Sequence, residues 1–191
     1  MKNFIKLMGL FSLTMFMSFT NPNKKVIVID VSHGGKDYGA VSETLKEKDI
    51  TLEIAKKIKE LNTNENIEII LNREEDKFIT LNERAEFINE KSPDYVISIH
   101  LNSYKDESKN GIEIIYGGKN VNSEKLADKL LQSFNSYNVE IKEGNFYLLK
   151  NVEAPINFIE IGYLSNKADR EYITSEKGQN EIAESILNTF I

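Results

Sequence analysis

The chain has two histidines and no cysteine, so any metal it holds must be bound by imidazole and carboxylate. His33 follows an apolar, β-branched run that begins at Val26 and ends at Asp30, and it sits in a turn made by Ser32, Gly34 and Gly35. His100 closes a second run of the same kind, which starts at Tyr95 and reads Tyr-Val-Ile-Ser-Ile-His. Both imidazoles are therefore expected at strand ends. In sheets of parallel strands alternating with helices, ligands and metals collect on the rim where the carboxyl ends converge. Catalytic zinc sites commonly take three nitrogen or oxygen ligands and leave a fourth position for water. No His-Glu-x-x-His helix occurs, so the ligands must come from segments far apart in sequence.

The third ligand must be chosen among many acids, and spacing alone does not choose it. Glu47 is favoured because it follows the first histidine turn and opens a helix expected to pack on the same strand. Glu160 is the other contender, an acid at the end of an apolar strand where a charge is expensive unless it is used. Each has a plainer reading. Glu47 suits the positive end of a helix, and Glu160 could be a buried acid paired with lysine or arginine. Asp30 could accept turn hydrogen bonds or orient His33. Arg73 and Arg84 read as surface or helix charges.

Alternating strands and helices are needed to position these groups. Lys25–Ile29, Ile67–Leu71, Tyr95–His100, Gly111–Tyr116 and Ile156–Ile161 read as strands, several continuously apolar as in a sheet covered on both faces. Leu45–Leu61 reads as a helix with Ile50, Ile54, Ala55, Ile58 and Leu61 on one face. Thr80 and Glu83 form a capping box that opens a helix to about Asn89. Glu124–Phe134, burying Leu126, Leu130, Leu131 and Phe134, and Asn180–Phe190 complete the helices, while Val139–Leu149 reads as a weak strand, a turn and a second short strand. The loop after Gly162 is expected to run through Asp169. The expected fold is α/β: a single-domain, twisted, mainly parallel but mixed sheet with helices on both faces.

The 191 residues suit one domain with a sizeable core. Residues 1–23 differ from the rest: Lys2 and Lys6 precede an apolar run, Leu7 to Phe19, closed by a polar break at Thr20 to Asn23. This is the outline of a signal peptide, too short to span a bilayer comfortably. No Ala-x-Ala pattern marks a cleavage site, which leaves an uncleaved anchor as the minority alternative. The absence of cysteine excludes a lipid-modified cysteine. A formal net charge of −6, without a basic cluster, argues against nucleic acid as a partner.

The motifs Ile-Asp-x-x-His-Gly-Gly-x-Asp-x-Gly-Ala at Ile29, Glu-Lys-Asp at Glu47, Ser-Ile-His-x-Asn at Ser98 and Ile-Glu-x-Gly-Tyr-x-Ser-Asn at Ile159 occur in that order. Together they resemble the zinc-dependent N-acetylmuramoyl-L-alanine amidases, the type 3 family of cell-wall hydrolases, over residues 24–191. The resemblance implies a catalytic domain with one zinc ion on His33, Glu47 and His100, and Glu160 as the catalytic acid. It implies cleavage between N-acetylmuramic acid and the L-alanine of the stem peptide, in wall remodelling or cell separation. Asn102 matches a family asparagine expected to touch substrate or shape the rim. Peptidoglycan or muropeptides are the implied partners, the chain is expected to be an exported monomer, periplasmic or extracellular, and the resemblance leaves room for a protein activator. The alternatives are a zinc peptidase acting on another wall bond, or a non-catalytic peptidoglycan-binding protein.

The chain departs from the family pattern at Val31 and Ser32, where the family carries a glycine before the first histidine. If that position needs positive φ, Ser32 bears a strain on the order of 1 kcal/mol. The only clear helix between His100 and Glu160, Glu124–Phe134, is amphipathic and reads as scaffold. An open groove without a built-in plug is therefore expected.

Overall fold

Strand β1 (Lys25–Val31) is an interior strand, apolar on both faces: Ile27, Val28, Ile29 and Val31 are all fully buried. The computed structural model describes residues 24–118 and 120–191, so the leader and Lys119 lie outside it. The elements that follow are the two-residue strands β2 (Val41–Ser42) and β3 (Leu45–Lys46), α1 (Glu47–Leu61), β4 (Ile67–Leu71), α2 (Leu81–Lys91) and β5 (Tyr95–Asn102). The second half contributes β6 (Ile112–Tyr116), α3 (Val121–Ser133), β7 (Val139–Glu143), α4 (Tyr147–Asn151), β8 (Ile156–Tyr163), α5 (Lys167–Ile173) and α6 (Glu176–Asn188). The main sheet has the order β4-β1-β5-β8-β6-β7. Neighbours are parallel except for the antiparallel pair β6 and β8, so the sheet is mainly parallel and mixed, as expected.

Two apolar layers cover the sheet. On one face Ile27, Ile29, Ile97, Ile99 and Ile159 pack under α1, α3 and α6. On the other, Val28, Val96, Phe158 and Ile115 pack under α2 and α4. Burying each such side chain is worth roughly 1.5–3 kcal/mol, which is why a strand covered twice can be apolar throughout. The period-two alternation of strands then decides which polar residues share a face. Asp30, Ser98, His100, Glu113 and Glu160 all point to the α2/α4 side, in register: Asp30 lies beside Ser98, His100 beside Glu160, and Glu160 beside Glu113.

The capping box of α2 forms, with Thr80 accepting from the Glu83 N–H and Glu83 reaching back to Thr80. The helix stops at Ser92, which turns left-handed at φ 45 before Pro93 and donates to the Asn89 carbonyl. Several expected boundaries shift. His100 lies inside β5, which continues to Asn102 through an irregularity between those two residues, and β8 runs on past Glu160 to Tyr163. Leu45 pairs in β3 and α1 begins at Glu47. Capping residues start α3 and α6 earlier than their apolar periodicity shows: Asn120 accepts from Asn122, and Ser175 from Gly178. Leu131 is 39% exposed rather than core. The second short strand expected near Leu149 is the helical turn α4, which buries Leu148 and Leu149 together, and the loop after Gly162 contains α5, capped by Asn166. Helix α3 packs on the face away from His100 and Glu160, with Leu126, Leu130 and Phe134 in the core beside Ile114 and Ile159. Among the described residues, no helix is long and apolar enough to cross a membrane.

Candidate metal centre and active site

His33 lies two residues beyond β1 in a turn that folds back on itself. The Gly34 N–H donates to the Asp37 carbonyl and the Asp37 N–H to that of Gly34, at 2.9 and 3.1 Å. This brings the Asp37 carboxylate to 2.9 Å from His33 Nδ1. The backbone strain expected at Ser32 falls instead on His33, whose φ is 55, a left-handed value that a side-chain-bearing residue rarely adopts. Ser32 is buried, with its Oγ 3.4 Å from Glu47 Oε1 and from Thr51 Oγ1. Gly39 is required by close approach: a Cβ there would sit 2.4 Å from Glu47 Oε2 and 2.6 Å from His33 Cδ2.

Glu47 is the first residue of α1 and is 3% exposed. Its Oε2 accepts from the Ala40 N–H at 2.8 Å, and its Oε1 accepts from the Leu101 N–H at 3.0 Å. The same Oε1 lies 3.0 Å from His33 Nε2 and 3.1 Å from His100 Nδ1. His100 is stacked on Phe158, with centroids 5.0 Å apart and planes 16° from parallel, which fixes its ring. One ligand atom from each of His33, Glu47 and His100 falls within 4.8 Å of the others. Two imidazoles and one buried carboxylate in this arrangement fit a divalent metal. Burial acts to raise Glu47 and to lower His33. The contacts between carboxylate and imidazoles outweigh it, so Glu47 is held far below the usual range and His33 is raised.

Glu160 stands beside His100 on the neighbouring strand. Its Oε2 is buried with no hydrogen-bond partner among the described residues. Burial pushes its carboxyl up, and the nearby Glu47 and Glu113 add to the rise while His100 opposes it. Glu113, on the other side, is satisfied: Oε1 accepts from Tyr163 Oη at 2.7 Å, and Oε2 from Lys142 Nζ and Asn102 Nδ2. Lys142 and Tyr163 outweigh burial and hold Glu113 low. Two adjacent carboxylates are thus driven apart in acidity, the pattern that separates an acid–base group from a permanent anion.

The orphaned oxygen has a stability consequence in the metal-free protein. With its folded pKa above the ordinary value of 4.5, the carboxyl ionises in the unfolded chain first, and it withdraws stability as the pH rises through that interval. Metal-free Glu160→Gln is therefore expected to melt with the wild type below pH 4.5 and above it at pH 8 in thermal scans. No advantage at pH 8 would contradict the burial argument.

The structure moves one other sequence candidate and leaves a second at the rim. Asp30 touches neither imidazole; its carboxylate accepts from Arg84, Ser98 and Asn72, and the acid on His33 is Asp37. Asn102 ties Glu113 to the rim and its Oδ1 accepts from the Ser103 N–H. Arg73 and Arg84, read from the sequence as surface or helix charges, are each 4% exposed, and Arg84 lies within α2. Asp37 and Glu113 join the site without having been expected from the sequence. Glu113 carries the same signal as Glu160, an acid inside an apolar strand. A cavity of about 200 Å³ opens beside the metal centre, lined by His33, His100, Phe78, Leu81, Leu148 and Phe158.

Comparison with known proteins agrees with this geometry. The sequence profile of the N-acetylmuramoyl-L-alanine amidase family matches residues 27–190. The germination-specific N-acetylmuramoyl-L-alanine amidase of Bacillus subtilis is 33% identical, over 85% of this chain and 76% of its own. The crystal structure of an N-acetylmuramoyl-L-alanine amidase from Clostridium difficile 630 superposes with a TM-score of 0.82 at 34% identity, over 87% of this chain and 95% of that one. The CwlD amidase of Clostridioides difficile, solved in complex with the GerS lipoprotein, superposes with a TM-score of 0.79 at 29% identity, over 87% of this chain and 96% of that one. A match of this extent, by a family profile spanning residues 27–190 and by relatives of 33–34% identity, places the chain in the N-acetylmuramoyl-L-alanine amidase family of cell-wall hydrolases.

Proposed function

We propose that the ion is zinc, held by His33, Glu47 and His100, and that Glu160 moves the proton in cleavage of the amide between N-acetylmuramic acid and L-alanine. The observation that carries this reading is the convergence of those three side chains beside a buried carboxylate with an unpartnered oxygen. When bound, zinc supplies Lewis acidity to the scissile carbonyl and to the attacking water. Glu160 Oε2, free of other bonds and raised in pKa, is suited to take the proton from that water and to deliver it to the departing alanine nitrogen. Asp37 and Phe158 hold the two imidazoles, so neither ring must be reoriented as substrate enters. Phe78, Leu81 and Phe158 offer apolar surface that excludes water beside the reacting amide.

Residues 24–191 are the catalytic domain in this reading, and residues 1–23 direct export to the wall, periplasmic or extracellular. The protein acts as a monomer on peptidoglycan or its muropeptides. That the CwlD relative forms a complex with a lipoprotein is compatible with a protein activator for this chain. Removal and return of metal tests the cofactor. Chelation is expected to abolish solubilisation of purified peptidoglycan, and one equivalent of zinc to restore it. Full activity in a protein shown to be metal-free would overturn the proposal.

A further inference from the structure

Beneath the candidate metal centre lies a buried polar lattice that touches none of the three ligand side chains. Arg84 Nη1 donates to Asp30 Oδ1 at 2.9 Å and to the Val31 carbonyl at 2.6 Å, and its Nη2 donates to the His33 carbonyl at 2.6 Å. Arg73 Nη2 donates to the Ser32 carbonyl at 2.7 Å and to the Lys48 carbonyl at 2.8 Å, and its Nε to that of Val31 at 3.3 Å. The carbonyls of three successive residues, ending in left-handed His33, are thus gripped from below by two guanidinium groups. Among the described residues Arg73 has no carboxylate within ion-pair distance; the backbone is what it was placed to hold.

The connections have a direction. Arg73 ties Ser32, next to His33, to Lys48, next to Glu47. Asp30 receives Arg84 on one oxygen and the Ser98 hydroxyl on the other, and Ser98 lies two residues before His100 on β5. The lattice therefore joins all three segments that carry the candidate ligands. A planar fork can bridge several carbonyls at once, whereas an ammonium on a flexible stem cannot hold the same set in one plane.

We infer that Arg73 and Arg84 are positioning residues, which hold His33 in its left-handed conformation and in register with Glu47 and His100, and so set metal affinity and geometry. This rests on the zinc reading above. A metal site tolerates little displacement of its ligands, and groups that orient ligands without binding the ion typically change affinity by about 10- to 100-fold.

The test uses Arg73→Lys and Arg84→Lys, which keep the charge and lose the fork. Zinc affinity is measured by competition with a chromophoric chelator, and site geometry by the visible bands of the cobalt-substituted protein. Each variant is expected to bind zinc about 10- to 100-fold more weakly and to shift or weaken the cobalt bands. If a lysine variant does not fold, Ser98→Ala, which removes the bond between the His100 strand and Asp30, tests the link from the lattice to His100, with zinc binding expected to weaken by about 10-fold. Variants that melt lower yet match the wild type in zinc affinity and cobalt spectrum would overturn the inference and leave a structural role only. A wild-type protein that binds neither metal would overturn the zinc reading itself.

Discussion

Glu160→Ala is expected to keep one zinc ion per chain and to lose turnover by about 10²- to 10⁴-fold, the usual contribution of a positioned acid–base group. The separation of the two effects follows from geometry. Glu160 Oε2 makes no hydrogen bond that holds His33, Glu47 or His100, whereas both imidazoles meet Glu47 Oε1. Glu160 sits beside His100 on the neighbouring strand without bonding to it, so its removal leaves the three ligand side chains in place. Glu160→Gln should behave in the same way, because it fills the same space without being able to take a proton. Zinc content is read by elemental analysis, and turnover by release of stem peptide. Loss of zinc from Glu160→Ala in step with activity would mean that the acid is a ligand and that the roles assigned here are wrong.

His100→Ala is expected to do the reverse, losing the metal first and activity with it. His100 sits between Phe158, which stacks on its ring, and Glu47, whose Oε1 it meets at 3.1 Å. Removing one of three protein ligands is expected to weaken zinc binding by more than about 100-fold, as each ligand carries a substantial share of a large total binding energy. The sheet should persist: Ile97, Ile99 and Leu101 face the other layer and keep β5 in its core. Normal far-ultraviolet circular dichroism with no bound zinc is the expected result. Zinc bound as tightly as in the wild type would remove His100 from the ligand set.

Much of this site is legible in the amino-acid sequence, for a physical reason. Strands covered on both faces are continuously apolar, so β1 and β5 announce themselves, and a histidine at the end of such a run has no packing reason to be there. Glu47 is favoured by its expected place at the start of α1, which is where it lies, but only the family motifs separate it from Glu160 as the ligand. Periodicity fails where an element is too short to display it. Helix α4 spans five residues, and adjacent Leu148 and Leu149 look the same in one helical turn as in a strand. It fails again where a side chain bonds to backbone. Arg73 answers four carbonyls, and carbonyls leave no trace in the residue types that supply them. Asp37 shows a third limit: four residues from His33, it is brought onto the imidazole only by a turn whose shape depends on three successive positive-φ residues, His33, Gly34 and Gly35.

The most direct test of the central claim is mass spectrometry of defined muropeptides incubated with the purified protein and, in parallel, with Glu160→Ala, each with and without a chelator. The account predicts free stem peptide beginning at L-alanine and a sugar product retaining its lactyl carboxylate, formed only by the wild type and only when metal is present. Intact muropeptide after incubation with a folded, zinc-loaded wild type, or the same products from Glu160→Ala at the wild-type rate, would contradict it.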